Sequence, residues 1–360
     1  MRWPKPVKLA SLSLAMLFAT VLGSAQSNSF VHQKRYAMGT VFEIVVYDDD
    51  LSQADGAARA ALDEAVRLDA VMSNYKPESE LSRLNRAAHF HPVRISHELY
   101  EVIDQSLSYS RISDGQFDIS VGPVVDLWKA ALAGGSPPTA AKQAAALRCV
   151  GYQKIELMPP DRIQFHSVCM RLDLGAIGKG YAVDRMAELL RARGIRRAFI
   201  DAGGSTLYAI NASPGAKAWN VHLRDPSSKL NPQIMMMNSS VSTSEQSATG
   251  LLQKDAPGHI VMPGTGRPLQ TRYAVSVTAA SATASDALST TLLLLGPTKG
   301  AVLVKTLEDV SAIWIDSAGH RTIAGQSAAF HFAGEDGSAG MPDATETIIE
   351  AAKAGKDLRP

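Results

Sequence analysis

Asp286 and Thr290 stand four residues apart in the run SDALSTTLLLLG, 285–296. On a helix that spacing puts a carboxylate and a hydroxyl one turn apart on the same face. Both are hard oxygen donors of the kind Mg²⁺ takes from protein while keeping waters and phosphate oxygens as its other ligands. Taken alone, such a pair more often caps a helix or sits on a solvated face. A second group lies upstream, where Gly175, Gly178 and Gly180 fall within six residues and Lys179 sits among them. Glycines at that density let backbone approach a ligand closely. Free N–H groups at the start of the following helix, the helix dipole and the Lys179 charge would together suit a phosphate. The plainer alternative is that the glycines only close a tight strand-to-helix turn. No GK[ST] stands at Walker spacing, and the glycine order does not fit a Rossmann fingerprint, although Asp201 follows at a suitable distance.

These groups need elements to hold them. Residues 171–174 alternate polar and apolar types as a short strand does, and Ala182, Val183, Met186, Leu189 and Leu190 recur at helical spacing up to Gly194. Upstream, 35–48 reads as one strand opened by Met38-Gly39-Thr40, with Val41, Ile44, Val45 and Val46 supplying β-branched bulk. Helices are expected over 52–72, 79–87, 96–110, 138–149 and 284–295, and a turn into a strand at 115–118. Residues 154–157 and 162–166 form an expected hairpin with His166 at its surface. Further strands are expected over 206–210, 219–223, 239–244 and 259–263.

The string DLGAIGKGYAVD, 173–184, followed by a helix and a GG turn, resembles the signature of the FAD:protein FMN transferases, the ApbE family. Four further blocks agree in order and spacing: YAMGT at 36–40, MSNYKPESELSRLN at 72–85, GQFDISVGPVVDLW at 115–128, and the 285–296 run. The resemblance covers roughly 34–330. It implies an α+β fold related to the T-fold, with mixed sheets covered by helices and an FAD cleft between two lobes. The implied cofactor contacts are Met38, Tyr75, Phe117, Asp118, Asp173, Lys179 and Ile260. Ala176, through its carbonyl, joins Asp286 and Thr290 as an implied Mg²⁺ ligand.

The implied activity is Mg²⁺-dependent transfer of FMN from FAD to a threonine hydroxyl of an exported client flavoprotein domain, releasing AMP. Such chemistry needs chiefly positioning and charge stabilisation. His259 is the candidate to assist deprotonation of the incoming hydroxyl, since histidine titrates near neutrality; otherwise it orders its loop. The chain departs from the family pattern at Lys129-Ala130-Ala131, where many relatives carry Gly-Phe-Gly. It departs again at Ser205 and Glu245, which stand for a frequent Asp and Gly, and at Met262 and Gly264, which stand for an acid and a basic residue. Two other readings therefore stay open: an FAD pyrophosphatase and a non-catalytic periplasmic FAD-binding protein. A periplasmic solute-binding protein with no flavin affinity is a further competitor.

Arg2, Lys5 and Lys8, an apolar run over 9–22 and then Gly23-Ser24-Ala25 have the form of a secretory signal peptide, with cleavage expected after Ala25. Ser11, Ser13 and Thr20 interrupt the run, whereas a membrane span needs about 20 apolar residues. No Cys follows the expected cleavage site, so a periplasmic protein without a lipid anchor or integral membrane segment is expected. The expected organisation is a leader over 1–25, a flavin transferase domain over 26–332 and a flexible tail over 333–360. The whole chain carries a formal charge of +1, about −2 once the three basic residues of the leader are removed. That balance gives no electrostatic case for nucleic acid or an anionic membrane. Cys149 and Cys169 are the only cysteines, and two alone argue against a metal site. They are read either as a disulfide, which export permits, or as two buried thiols.

Overall fold

The structure is a computed structural model that describes residues 29–134, 136–246, 260–326 and 329–332. The expected leader, the tail over 333–360 and His259 lie outside the described residues.

The chain opens on a hairpin where a single strand over 35–48 was expected. β1 (Phe30–Ala37) pairs antiparallel with β2 (Thr40–Tyr47), and Ala37 faces Thr40, which leaves Met38 and Gly39 as the two turn residues. Both take positive φ, +49° and +79°, as a two-residue turn matched to strand twist requires. Glycine does this freely; methionine does it at a cost of about 1 kcal/mol. β1 gave no clear alternation because it is an edge strand, exposed over its polar stretch.

α1 (Leu51–Met72) starts at Asp50, whose carboxylate accepts the N–H groups of Ser52 and Gln53. Its buried face is mostly small, Ala54, Ala57, Ala58, Ala61 and Ala65 with Leu62 and Leu68, and this allows close packing on the sheet. Ser79 and Ser96 cap α2 (Glu80–Ala87) and α3 (His97–Ile112), which flank the two-residue β3 (Val93–Arg94). α4 (Gly122–Gly134) and α5 (Ala140–Leu147) precede the expected hairpin of β4 (Ile155–Met158) and β5 (Arg162–Phe165), where His166 is exposed and paired with Glu156.

Neither the strand expected after 115–118 nor the one over 171–174 forms; the two segments share an isolated parallel bridge, Val121 to Arg171, and a hydrogen bond from the Asp173 N–H to the Ile119 carbonyl at 2.7 Å. Side chains have taken over the ladder's role there. The Asn85 amide donates to the Leu172 carbonyl at 3.0 Å and accepts the Leu172 N–H at 2.7 Å. Asp118 likewise accepts from the N–H and hydroxyl of Ser120 and from the Tyr152 N–H.

The second half carries α6 (Gly178–Ala192), β6 (Arg197–Ala202), β7 (Thr206–Ile210), β8 (Trp219–His222), β9 (Pro232–Met236) and β10 (Ser239–Glu245). After the short pair β11 (Val261–Met262) and β12 (Arg267–Pro268) come β13 (Tyr273–Ala279), α7 (Ala282–Val304), β14 (Ser311–Asp316), β15 (Arg321–Ala324) and β16 (Phe330–Phe332). An eight-stranded sheet in the order β1-β2-β6-β7-β10-β13-β14-β15 forms the centre, and α1, α6 and α7 pack on one face of it. The small sheet β16-β9-β8 covers the other face. Because both faces are covered, alternate residues of one strand enter different cores: Ile200 sides with the helices, and Phe199 packs on Trp219 of the small sheet. Mixed sheets were expected, but every ladder among the described residues is antiparallel.

α7 is long and apolar enough to cross a membrane by composition. It is broken at Gly296 and packs against β10, β13 and α6, so its apolar surface is used inside the fold. Cys149 and Cys169 are joined as a disulfide with their Cα atoms 5.3 Å apart, closing the α5-to-β5 excursion onto the segment that leads to α6.

Candidate active site

A cleft of about 1030 Å³ opens where the β1–β2 turn, the end of α1, the loops before α4 and α6, the β6–β7 turn, β10, residues 260–263 and α7 converge. That is at the upper end of the volumes that small-molecule sites occupy, roughly 300–1,000 Å³. Its apolar lining draws on all three buried clusters, through Met72, Phe117 and Leu174, through Leu223 and Val241, and through Ile260 and Leu294, where two lobes were expected. Every site residue expected from the sequence lines this cleft except His259, which is outside the described residues.

Its polar floor is built by two helices that touch. Asp286 sits one turn into α7 and is 5% exposed. Its Oδ2 accepts the Gly180 N–H at 2.9 Å, while Oδ1 lies 3.8 Å from the Lys179 ammonium. Gly180 is needed for this approach: a Cβ there would lie 2.7 Å from Asp286 Cβ and clash with the Ala282 carbonyl oxygen. From further along α6, Asp184 reaches the start of α7 and accepts the N–H groups of Ala282 and Thr283 at 2.7 and 2.8 Å and the Thr283 hydroxyl at 2.6 Å. Burial pushes the Asp184 carboxyl above its ordinary range.

Of the two readings of these glycines, the contacts favour the plainer one, a tight turn into α6. The Gly178 N–H is spent on the Leu174 carbonyl and the Gly180 N–H on Asp286, so the positive end of α6 already holds an internal carboxylate. The α6 residues that line the cleft are Gly178 and Lys179.

The other expected residues fall into two kinds. Tyr75 is a rim residue, 79% exposed, whose hydroxyl accepts from the Lys129 ammonium at 2.7 Å; that ammonium also lies 4.8 Å from the ring centroid. Met38 stands on the turn, partly buried against the main core. Phe117 is a core residue, edge-on to Tyr109, that shows only a little surface to the cleft. One Asp118 oxygen is used within its loop by Ser120 and the other by the Tyr152 N–H, and burial raises its carboxyl, so it builds the wall. Asp173 accepts the Gly175 N–H at 2.8 Å and so shapes the loop that carries Ala176. The backbone of Ile260 is held on both sides by the Gln246 amide.

Asp286, Thr290 and Ala176 all line the cleft, and between them they carry a carboxylate, a hydroxyl and a main-chain carbonyl. This oxygen-only set, with one nearly buried carboxylate oxygen facing Lys179, fits a hard cation. No group of three or more His, Cys, Asp or Glu side chains meets among the described residues.

Sequence reasoning missed Lys129 on Tyr75, and Arg224, whose Nε donates to Glu245 at 2.7 Å on the cleft wall. Arg224 follows a strand in an ordinary loop, and only the Glu245 departure marked that place in the chain.

The fold and cleft define an α+β protein of a known class. The sequence profile of the ApbE family matches residues 38–314, and the chain belongs to that family. It is 29% identical over 302 residues to the FAD:protein FMN transferase of Treponema pallidum (strain Nichols), covering 77% of this chain and 82% of that one. Likeness to the FAD:protein FMN transferase of Klebsiella pneumoniae (strain 342) is 29% over 284 residues, 74% and 79% of the two chains. Among solved structures, the ApbE protein of Thermotoga maritima superposes with a TM-score of 0.72 at 23% identity, covering 82% of this chain and 97% of that one. The flavin transferase ApbE of Vibrio cholerae gives 0.70 at 23% with the same coverage; at such identity these two speak to the fold alone.

Proposed function

We propose that this chain is an FAD:protein FMN transferase, moving FMN from FAD onto a threonine hydroxyl of an exported client flavoprotein domain. The observation that carries the reading is the Asp286 carboxylate, held by the Gly180 N–H beside Lys179 on the wall of a cleft with room for a dinucleotide. Relatives bearing that name match most of the chain.

In this reading the client hydroxyl oxygen bonds to the FMN-side phosphorus, the bond from that phosphorus to the bridging oxygen breaks, and AMP leaves with the bridging oxygen. The hydroxyl proton passes to a base, for which His259 is the candidate. Lys179 supplies a mobile positive charge to the phosphates. Met38, Tyr75 and the little of Phe117 that reaches the cleft give the flavin an apolar and aromatic seat. Asp286, Thr290 and the Ala176 carbonyl would hold Mg²⁺, which when bound neutralises charge on the pyrophosphate. The leader over 1–25 would send a transferase domain over 26–332 to the periplasm without a lipid anchor.

Incubation with FAD and a candidate client, with and without Mg²⁺, tests this through AMP. AMP should appear in step with flavin attached to the client and should cease on chelation. A yellow protein holding intact FAD and indifferent to Mg²⁺ would make the chain a flavin binder.

A further inference from the structure

β10 meets α7 through hydroxyls, and one set of them ends at the proposed cation ligand. Ser244 Oγ on β10 lies 2.8 Å from Ser289 Oγ and 3.3 Å from Thr290 Oγ1. Ser289 is fully buried, and its Oγ lies 2.8 Å from the Asp286 main-chain oxygen. Each hydroxyl has one proton to give, and that count sets a direction. A carbonyl can only accept, so Ser289 donates to Asp286. With its proton spent, Ser289 must accept from Ser244, and Ser244 must then accept from Thr290. The opposite order makes one hydrogen bond fewer in a partly buried place and turns the Thr290 proton away from Ser244.

We infer that Ser244, anchored by Ser289, is a positioning residue that fixes the Thr290 hydroxyl proton on β10 and leaves the Thr290 oxygen lone pairs for a divalent cation. The inference rests on the reading of Asp286 and Thr290 as cation ligands. It assigns a role to two serines, Ser244 on the cleft lining and Ser289 buried behind it: they set the orientation and basicity of a ligand, as hydrogen-bond partners of metal ligands do. The same carbonyl belongs to the residue whose side chain is the other ligand, so one turn of α7 coordinates and orients at once.

The test is a double-mutant cycle read by calorimetric titration of Mg²⁺, with and without FAD, and needs no turnover. Ser244→Ala should weaken Mg²⁺ binding about tenfold, the lower end of what loss of such a partner costs. Thr290→Val removes the oxygen itself, so adding Ser244→Ala to Thr290→Val should change Mg²⁺ affinity by no more than about twofold. Ser244→Thr keeps a hydroxyl and should recover most of the parent affinity. Should Ser244→Ala fail to fold, Ser289→Ala carries the same cycle, with a loss expected only when Thr290 is present. A parent that binds no Mg²⁺ with or without FAD overturns the cation reading and this inference with it. A parent that binds, with Ser244→Ala binding equally well or losing the same factor in both backgrounds, overturns the role of Ser244 alone.

Discussion

Asp201 closes β6 beneath the turn that lines the cleft, and its Oδ1 accepts the Gly204 N–H at 2.6 Å. Its register partner across the sheet is Glu43, whose carboxylate is taken by His32 and Lys34, each at 3.0 Å. Burial, aided by the Glu43 charge and opposed by the Gly204 hydrogen bond and by Lys34, pushes the Asp201 carboxyl from 3.8 up to about 6. That difference corresponds to about 3 kcal/mol of preference for the neutral acid in the folded protein. Because the folded value is the higher one, this stability is fully present below about pH 3.8 and drains away as pH rises through about 6. Asp201→Asn keeps the shape and the acceptor for Gly204 but never ionises. Urea denaturation should find the variant within about 0.5 kcal/mol of the parent at pH 4, and more stable by about 2 kcal/mol at pH 8 once partial exposure is allowed for. Equal stability of the two at pH 8, or a parent that gains on the variant as pH rises, would show that the site stabilises the carboxylate and that burial does not dominate.

Gly180→Ala forces apart the helices that Asp286 joins and should cost about 1–3 kcal/mol; thermal melting reads the loss, and an unchanged melt would mean that the α6–α7 contact is looser than described. Opening the Cys149–Cys169 bridge, by reduction or by paired serines, frees a loop with a sequence separation of 20 and should cost about 3 kcal/mol. Urea midpoints with and without reductant test that, and identical midpoints would argue for free thiols. Asp286→Asn keeps one acceptor for the Gly180 N–H but loses the charge. FAD should still bind by fluorescence quenching, while transfer at limiting Mg²⁺ falls by about 100-fold or more; transfer at the parent rate would remove Asp286 from the metal site.

Much of this was legible along the chain because its signals are local. The helices expected over 52–72, 79–87 and 96–110 form as α1, α2 and α3 with only their ends shifted, and the family blocks bring nearly all the expected site residues to one cleft. What escaped depends on contacts between distant residues. The Asn85 amide replaces a strand for Leu172, 87 residues away; Asp184 caps a helix 98 residues on; and the Gly180 N–H finds Asp286 across 106 residues. No spacing rule carries such pairs. Spacing alone therefore leaves the glycines at 178 and 180 open between a cradle for an outside anion and a plain turn, and the contact with Asp286 lies beyond its reach. The strands after 267 went unread for a simpler reason: β13 and β14 are buried on both faces, where polar and apolar residues need not alternate.

Covalent transfer of FMN is read from the intact mass of the acceptor. A candidate exported client, incubated with this protein, FAD and Mg²⁺, should gain the mass of one FMN on a threonine, with one AMP released for each FMN attached. An unmodified client beside free FMN and AMP would make the protein a pyrophosphatase and exclude the transfer.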